Sequence, residues 1–169
     1  IGVLACSGIG TGTDVESPLA CEELVERATT LHDQSEREDD DALRQRASGY
    51  YDQFVDRCQD ADDYGEIVYY GAELRWAQAS AAHRRGDEEA ARRLFALAHR
   101  DFRRALDVSP GRYEKDAAYA QLLAKRNEVG DVFDRIEPTV DDGSNTFPRS
   151  EYTREELDLI EACEVYRAH

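Results

Sequence analysis

The sequence predicts an all-α protein built from antiparallel helical hairpins, and three observations carry that prediction. Alanine, arginine and glutamate are among the commonest residues, and only four prolines interrupt 169 residues. Apolar or small residues recur at Ile67, Tyr70, Leu74, Ala77 and Ala81, then at Ala91, Phe95, Ala98, Phe102 and Ala105. Those steps of three and four are the spacing of a helix seam that faces one partner. The two runs also mirror each other about Gly86. Antiparallel helices bring residues equally far from a turn together, so the mirror predicts the layers Ala81/Ala91, Ala77/Phe95, Leu74/Ala98, Tyr70/Phe102 and Ile67/Ala105. Large opposes small in most of them, as interdigitation requires.

Residues 1–16 do not fit the helical pattern. Ile1 to Ala5 followed by Cys6 looks like the tail of a truncated bacterial secretion signal, with Val3, Leu4, Ala5 and Cys6 in the order of a lipobox. Cys6 is then a candidate for lipidation; the other reading is a free or disulfide-bonded cysteine at a frayed end. Ile9 to Glu16, rich in glycine and threonine, reads as a tether.

The helical-repeat region spans 17–130. Ser17 as N-cap and Pro18 at the first helical position predict the start of a helix whose stripe is Cys21, Leu24, Ala28 and Leu31. The acidic run Glu36 to Asp41 predicts a solvated loop. Leu43, Ala47, Tyr50 and Phe54 form the next stripe, mirrored about Asp39, which makes a second hairpin. Cys21 and Cys58 fall almost opposite each other at its open end and are either disulfide-bonded, in an oxidising compartment, or two buried thiols. Asp63 with Glu66 predicts an acidic capping box before the central hairpin. After Pro110 and Gly111, the positions Tyr113, Ala117, Ala120, Ala124 and Asn127 give a further seam ending at Gly130. Residues 131–152, with Pro138, Gly143 and Pro148, read as a loop. Residues 153–169 begin another helix, capped by Thr153 and Glu156, with Leu159, Cys163 and Tyr166 on one face and an expected continuation beyond His169.

The charge of −16, from 37 acids against 21 lysines and arginines, repels phosphate backbones and argues against nucleic acid as a partner. No stretch approaches the roughly 20 apolar residues that cross a bilayer. The basic residues are unevenly placed, with eight arginines and four acids between Arg75 and Arg104. Arg84, Arg85, Arg92 and Arg93 flank the tip of the central hairpin. They form a basic arm that suits an acidic protein or anionic headgroups, or else a solvated face that stabilises the end of a helix. Along the first helix of that hairpin, Tyr69, Glu73, Trp76, Ser80 and His83 share a stripe that either grips a peptide or fills space between neighbouring hairpins. Asp60, Asp62, Gly65 and Ile67 imitate part of a calcium loop, but Tyr64 and Gly71 stand where ligands belong, so no metal site is expected. The four histidines lie on separate segments and no HExxH, GxSxG or phosphate-loop motif occurs, which predicts neither catalysis nor a cofactor.

Phe102, Ala105, Asp107 and Pro110, together with the turn phrase Gly86, Asp87, Glu88, Glu89, Ala90 and Ala91, resemble the tetratricopeptide repeat (TPR). The likeness covers roughly residues 42–130 and departs in length, since the central hairpin is longer by about two turns at its tip. Tyr69, Tyr70, Ala72, Glu73 and Leu74 before that hairpin's turn, and Tyr113, Asp116, Ala117, Ala118 and Tyr119 after it, are also similar to helical-repeat proteins of Gram-negative envelopes. The resemblance implies a TPR-like solenoid of stacked hairpins and a non-catalytic protein-binding scaffold, periplasmic and anchored to the outer membrane through Cys6. A regulatory or accessory domain of a larger soluble cytoplasmic protein is the second expectation, and a hydrolase the third. Energetics also favours an array. Burying a large apolar side chain gives roughly 1.5 to 3 kcal/mol, whereas ordering a residue costs about 1 to 2 kcal/mol. Stacked hairpins therefore share faces.

Overall fold

The computed structural model describes residues 19–108, 113–130 and 152–169. Among them are six α-helices and no strand: α1 Cys21–Glu38, α2 Asp41–Arg57, α3 Tyr64–Arg84, α4 Glu88–Val108, α5 Glu114–Val129 and α6 Arg154–Ala168. Each helix packs chiefly on its neighbours in the chain, α3 most extensively on α4 and α4 on α5. The molecule is a stack of hairpins, and among the described residues no helix is long and apolar enough to cross a membrane. Cys6, Ser17, Pro18, Pro110, Gly111 and the 131–151 stretch lie outside the described residues.

The two hairpin turns use the same device. At α3–α4, Gly86 takes φ +77°, its N–H donates to the His83 carbonyl at 2.9 Å, and the Asp87 N–H donates to the Ala82 carbonyl at 3.0 Å. That is a Schellman closure. Asp87 then caps α4, its carboxylate accepting from the Ala90 N–H at 3.1 Å. At α1–α2, Asp39 occupies the left-handed position with φ 49°, and the Asp40 N–H donates to the Ser35 carbonyl. The Asp40 carboxylate accepts from the N–H groups of Ala42 and Leu43. Aspartate tolerates left-handed backbone better than most residues, and Arg44 bridges Asp39 and Asp41 across this turn. A Cβ at position 86 meets nothing within 4 Å, so Gly86→Ala costs only backbone strain. We expect it to lower stability by about 1 to 2 kcal/mol, read by urea denaturation; an unchanged midpoint would contradict the assigned turn.

Four local expectations need correction. Ala20 is extended, at φ −68° and ψ 158°, so α1 starts at Cys21 and not at Ser17. The acidic run stays helical to Glu38, leaving only Asp39 and Asp40 as turn. Its charges are spread around the helix, and Gln34 donates to Glu38 one turn on. Asp63 makes no cap hydrogen bond, because its ψ of 9° is not the extended conformation that aims an N-cap side chain at the helix. Glu66 instead accepts from the hydroxyls of Tyr70 at 2.7 Å and Tyr113 at 3.0 Å. On α6 the buried stripe is Leu159 and Ala162, whereas Cys163 is an exposed free thiol and Tyr166 is half-exposed against Tyr119. The Thr153/Glu156 capping box is formed.

The core follows the seams with a rotation of α3. Ile67, Leu74, Ala98, Phe102 and Ala105 are all buried in one cluster. The ring contacts, however, run from Tyr69 to Phe102 at 5.6 Å and from Trp76 to Phe95 at 5.2 Å, one residue earlier on α3 than Tyr70 and Ala77. The reason is that α3 is apolar on several sides. Val68, Ala72, Ala79 and Ala82 are buried as well, so its orientation is a compromise between α2 and α4. In the first hairpin the buried side chains are Leu24, Ala28, His32 and Ser35 facing Arg44, Ala47, Tyr51 and Phe54. A disulfide joins Cys21 to Cys58, with Cα atoms 5.9 Å apart.

Two histidines couple this core to pH. The His32 Nδ1 lies 3.1 Å from the Tyr51 hydroxyl, and the His99 Nδ1–H donates to the Gln121 carbonyl at 2.9 Å. Burial lowers the pKa of both below the usual histidine value of 6.5. A depressed histidine pKa means the unfolded chain takes up a proton first, so stability is complete above about pH 6.5 and is lost as pH falls below it. Each histidine contributes at most about 1.4 kcal/mol per pH unit. Melting temperature across pH 8 to 5 should fall on the acid side only, and His99→Gln should flatten the fall.

Candidate binding grooves

α3 lies between α2 and α4, and its looser contact with α2 opens a groove of about 930 Å3. Val68, Gly71, Arg75 and Gln78 of α3 line it between two walls, Gln45, Ser48, Asp52, Val55 and Asp56 from α2 and Leu94, Leu97, Arg100 and Arg104 from α4. The steps from Gln45 to Ser48, Asp52 and Val55, and from Leu94 to Leu97, Arg100 and Arg104, are three or four residues, so each wall is one helix face. Gly71 keeps the two helices close, since a Cβ there would sit 3.4 Å from the Tyr51 Cβ.

Arg75 crosses the groove. One guanidinium nitrogen bonds Asp52 of α2 and the other bonds Asp101 of α4. The Arg75 and Asp101 side chains are only 10% and 7% exposed, whereas Asp52 is 55% exposed. Arg100 adds a second cation to Asp101 at 3.1 Å. At the end of the groove Arg85 pairs with Asp41, and farther along Arg104 lies over the Tyr64 ring at 5.6 Å. The α2 wall is thus acidic and the α4 wall basic, with Val55, Val68, Leu94 and Leu97 supplying apolar surface between them. Such a groove can hold a segment of mixed charge by ion pairs at the rim and apolar contact beneath. Among the described residues, no group of three or more His, Cys, Asp and Glu could hold a metal ion.

The stripe expected to grip a peptide divides. Tyr69 is 8% exposed and stacks on Tyr113 at 4.6 Å, so it packs between helices instead of facing a ligand. Burial, first, and the neighbouring Glu73 push its hydroxyl pKa well up. Glu73 itself is raised, chiefly by desolvation. Trp76 is half-buried against Phe95. Ser80 and His83 do reach a cleft, and Arg84 and Arg92 of the expected arm line the same one, between the α3–α4 turn and the end of α5. The arm does not stand clear of its surroundings. Arg85 is held by Asp41, and Arg92 lies beside Gly130. Arg93 is exposed on α4.

Sequence reasoning missed the α2–α3–α4 groove except for Arg85. Its walls mix charged side chains with Val55, Val68, Leu94 and Leu97, so they carry no apolar period; the available signal was Arg75 set between Leu74 and Trp76. No protein-family model, curated protein or solved structure matches the chain.

Proposed function

We propose that this chain is a non-catalytic interaction scaffold of the tetratricopeptide type that holds a segment of another protein in the groove between α2, α3 and α4. The groove carries the proposal: it is long, open, charged differently on its two walls, and has a central arginine already neutralised by carboxylates on both sides. A neutralised centre suits recognition better than proton transfer. The repeat reading draws on the equal arms of α3 and α4, 21 residues each against 15 to 18 in the other helices, which fit a repeat with added turns.

The disulfide supports a location outside the reducing cytosol. Together with the lipobox-like Val3 to Cys6 it favours a periplasmic protein tethered by a lipid on Cys6. Labelled fatty acid incorporated by the natural chain and lost in Cys6→Ser is the expected result in cells; equal labelling of the two would remove the anchor.

Affinity capture from cell-envelope extract tests the groove. Ser48→Trp fills it from the α2 wall, and Arg100→Glu inverts the charge of the α4 wall. We expect a partner retained by the wild type to be depleted about tenfold or more by either variant, with far-UV circular dichroism unchanged in both and melting temperature unchanged in Ser48→Trp. A partner held equally by all three chains would place recognition elsewhere.

A further inference from the structure

We infer that the cleft between the α3–α4 turn and the end of α5 binds a phosphate monoester, a function separate from the groove. Arg84 in the last turn of α3, Arg92 in α4 and Arg126 in the last turn of α5 line one cleft of about 580 Å3. Three arginines from three helices thus line the same cleft, and among the described residues none of them has an ion-pair partner. This occurs in a chain where carboxylates outnumber cations 37 to 21, so partners were plentiful. The one acid lining the cleft, Glu88, is engaged by His83 at 3.1 Å.

The chemistry selects the ligand. A dianionic phosphoryl group calls for two or three positive charges, and the planar fork of arginine matches its oxygens two at a time. A single carboxylate would leave the cleft with surplus charge. Ser80 and Asn127 add neutral donors. Phe95 and Ala91, 5% and 2% exposed, close the back with apolar surface that a carbon skeleton can cover. The volume suits a small organophosphate or one headgroup.

Arg84 and Arg126 also sit where cations offset the negative ends of α3 and α5. If that were their whole role, no anion would bind. Titration calorimetry of the intact protein with inorganic phosphate and with glycerol 3-phosphate, and sedimentation with phosphatidic acid vesicles against phosphatidylcholine vesicles, separate the cases. We expect saturable one-to-one binding at or below about 1 mM. It should weaken about 100-fold or more in Arg84→Gln/Arg92→Gln/Arg126→Gln. It should not change in Arg37→Gln/Arg46→Gln/Arg167→Gln, which removes equal charge elsewhere. Binding of the soluble esters alone identifies a free organophosphate, and binding of phosphatidic acid vesicles alone identifies a lipid headgroup. Absence of binding to every probe, or equal weakening in both triple variants, overturns the inference. Both triple variants are made at exposed positions, and unchanged melting temperatures verify their folding.

Discussion

Replacing Cys21 and Cys58 together by serine lowers the free energy of unfolding by about 4 kcal/mol. The bond closes a loop between residues 37 apart, and loop-closure entropy for that length gives a figure of this size. The position makes the loss local as well as global. Cys21 is the first residue of α1, and the hold of α1 on the molecule is chiefly its contact with α2. Beside the bond, Arg57 donates to the Leu19 carbonyl at 2.6 Å and secures the same end. Without the crosslink, the start of α1 is expected to fray before the central hairpin melts. Urea denaturation with and without reductant measures the difference. It is best done in a Cys163→Ser background, because the exposed Cys163 thiol can attack the disulfide. A loss below about 1 kcal/mol would mean that α1 is held by packing alone.

Removing the Asp101 carboxylate, as in Asp101→Ala, should cost about 3 to 5 kcal/mol. Arg75 would keep only Asp52, which is mostly exposed and therefore a weak counter-charge, while its guanidinium stays buried. The same reasoning predicts little from Asp52→Ala, no more than about 1 kcal/mol, because that half of the bridge is solvated. Arg75→Met/Asp101→Leu removes both buried charges, and we expect it to recover most of the loss. The pattern to look for in denaturation midpoints is a severe single variant, a mild single variant and a tolerated double. Equal loss in the double variant and Asp101→Ala would show that packing volume, not charge, governs this position.

The hairpins were legible because their signals are local and periodic. Gly86 and Asp39 marked both turns, and the apolar residues around each could be mirrored onto one another without knowing any contact. The mirror erred by one residue on α3, where Tyr69 and not Tyr70 meets Phe102. A helix covered on several sides has no single stripe for periodicity to find. The cap expected at Asp63 failed on a backbone angle that no pattern reports, and Glu66 was claimed instead by Tyr113 at the start of α5, 47 residues away. The groove was the least legible feature. Beyond the Phe54/Tyr64 stack at one end, α2 and α3 meet at Gly71 and through Arg75 and not along a continuous apolar seam, and sequence periodicity reports seams.

Arg75 and Arg85 have a consequence for how the groove moves. Arg75 of α3 and Arg85, just after that helix, reach across to α2, one to Asp52 near the middle and one to Asp41 at the mouth. The Arg85 side chain is 57% exposed and the Arg75 side chain 10%, so added salt screens the outer clasp long before it reaches the inner one. The first hairpin should then swing about Arg75 as a pivot, widening the aperture at the tips while its depth is preserved. Ionic strength thereby becomes a dial for how wide the mouth of the groove stands.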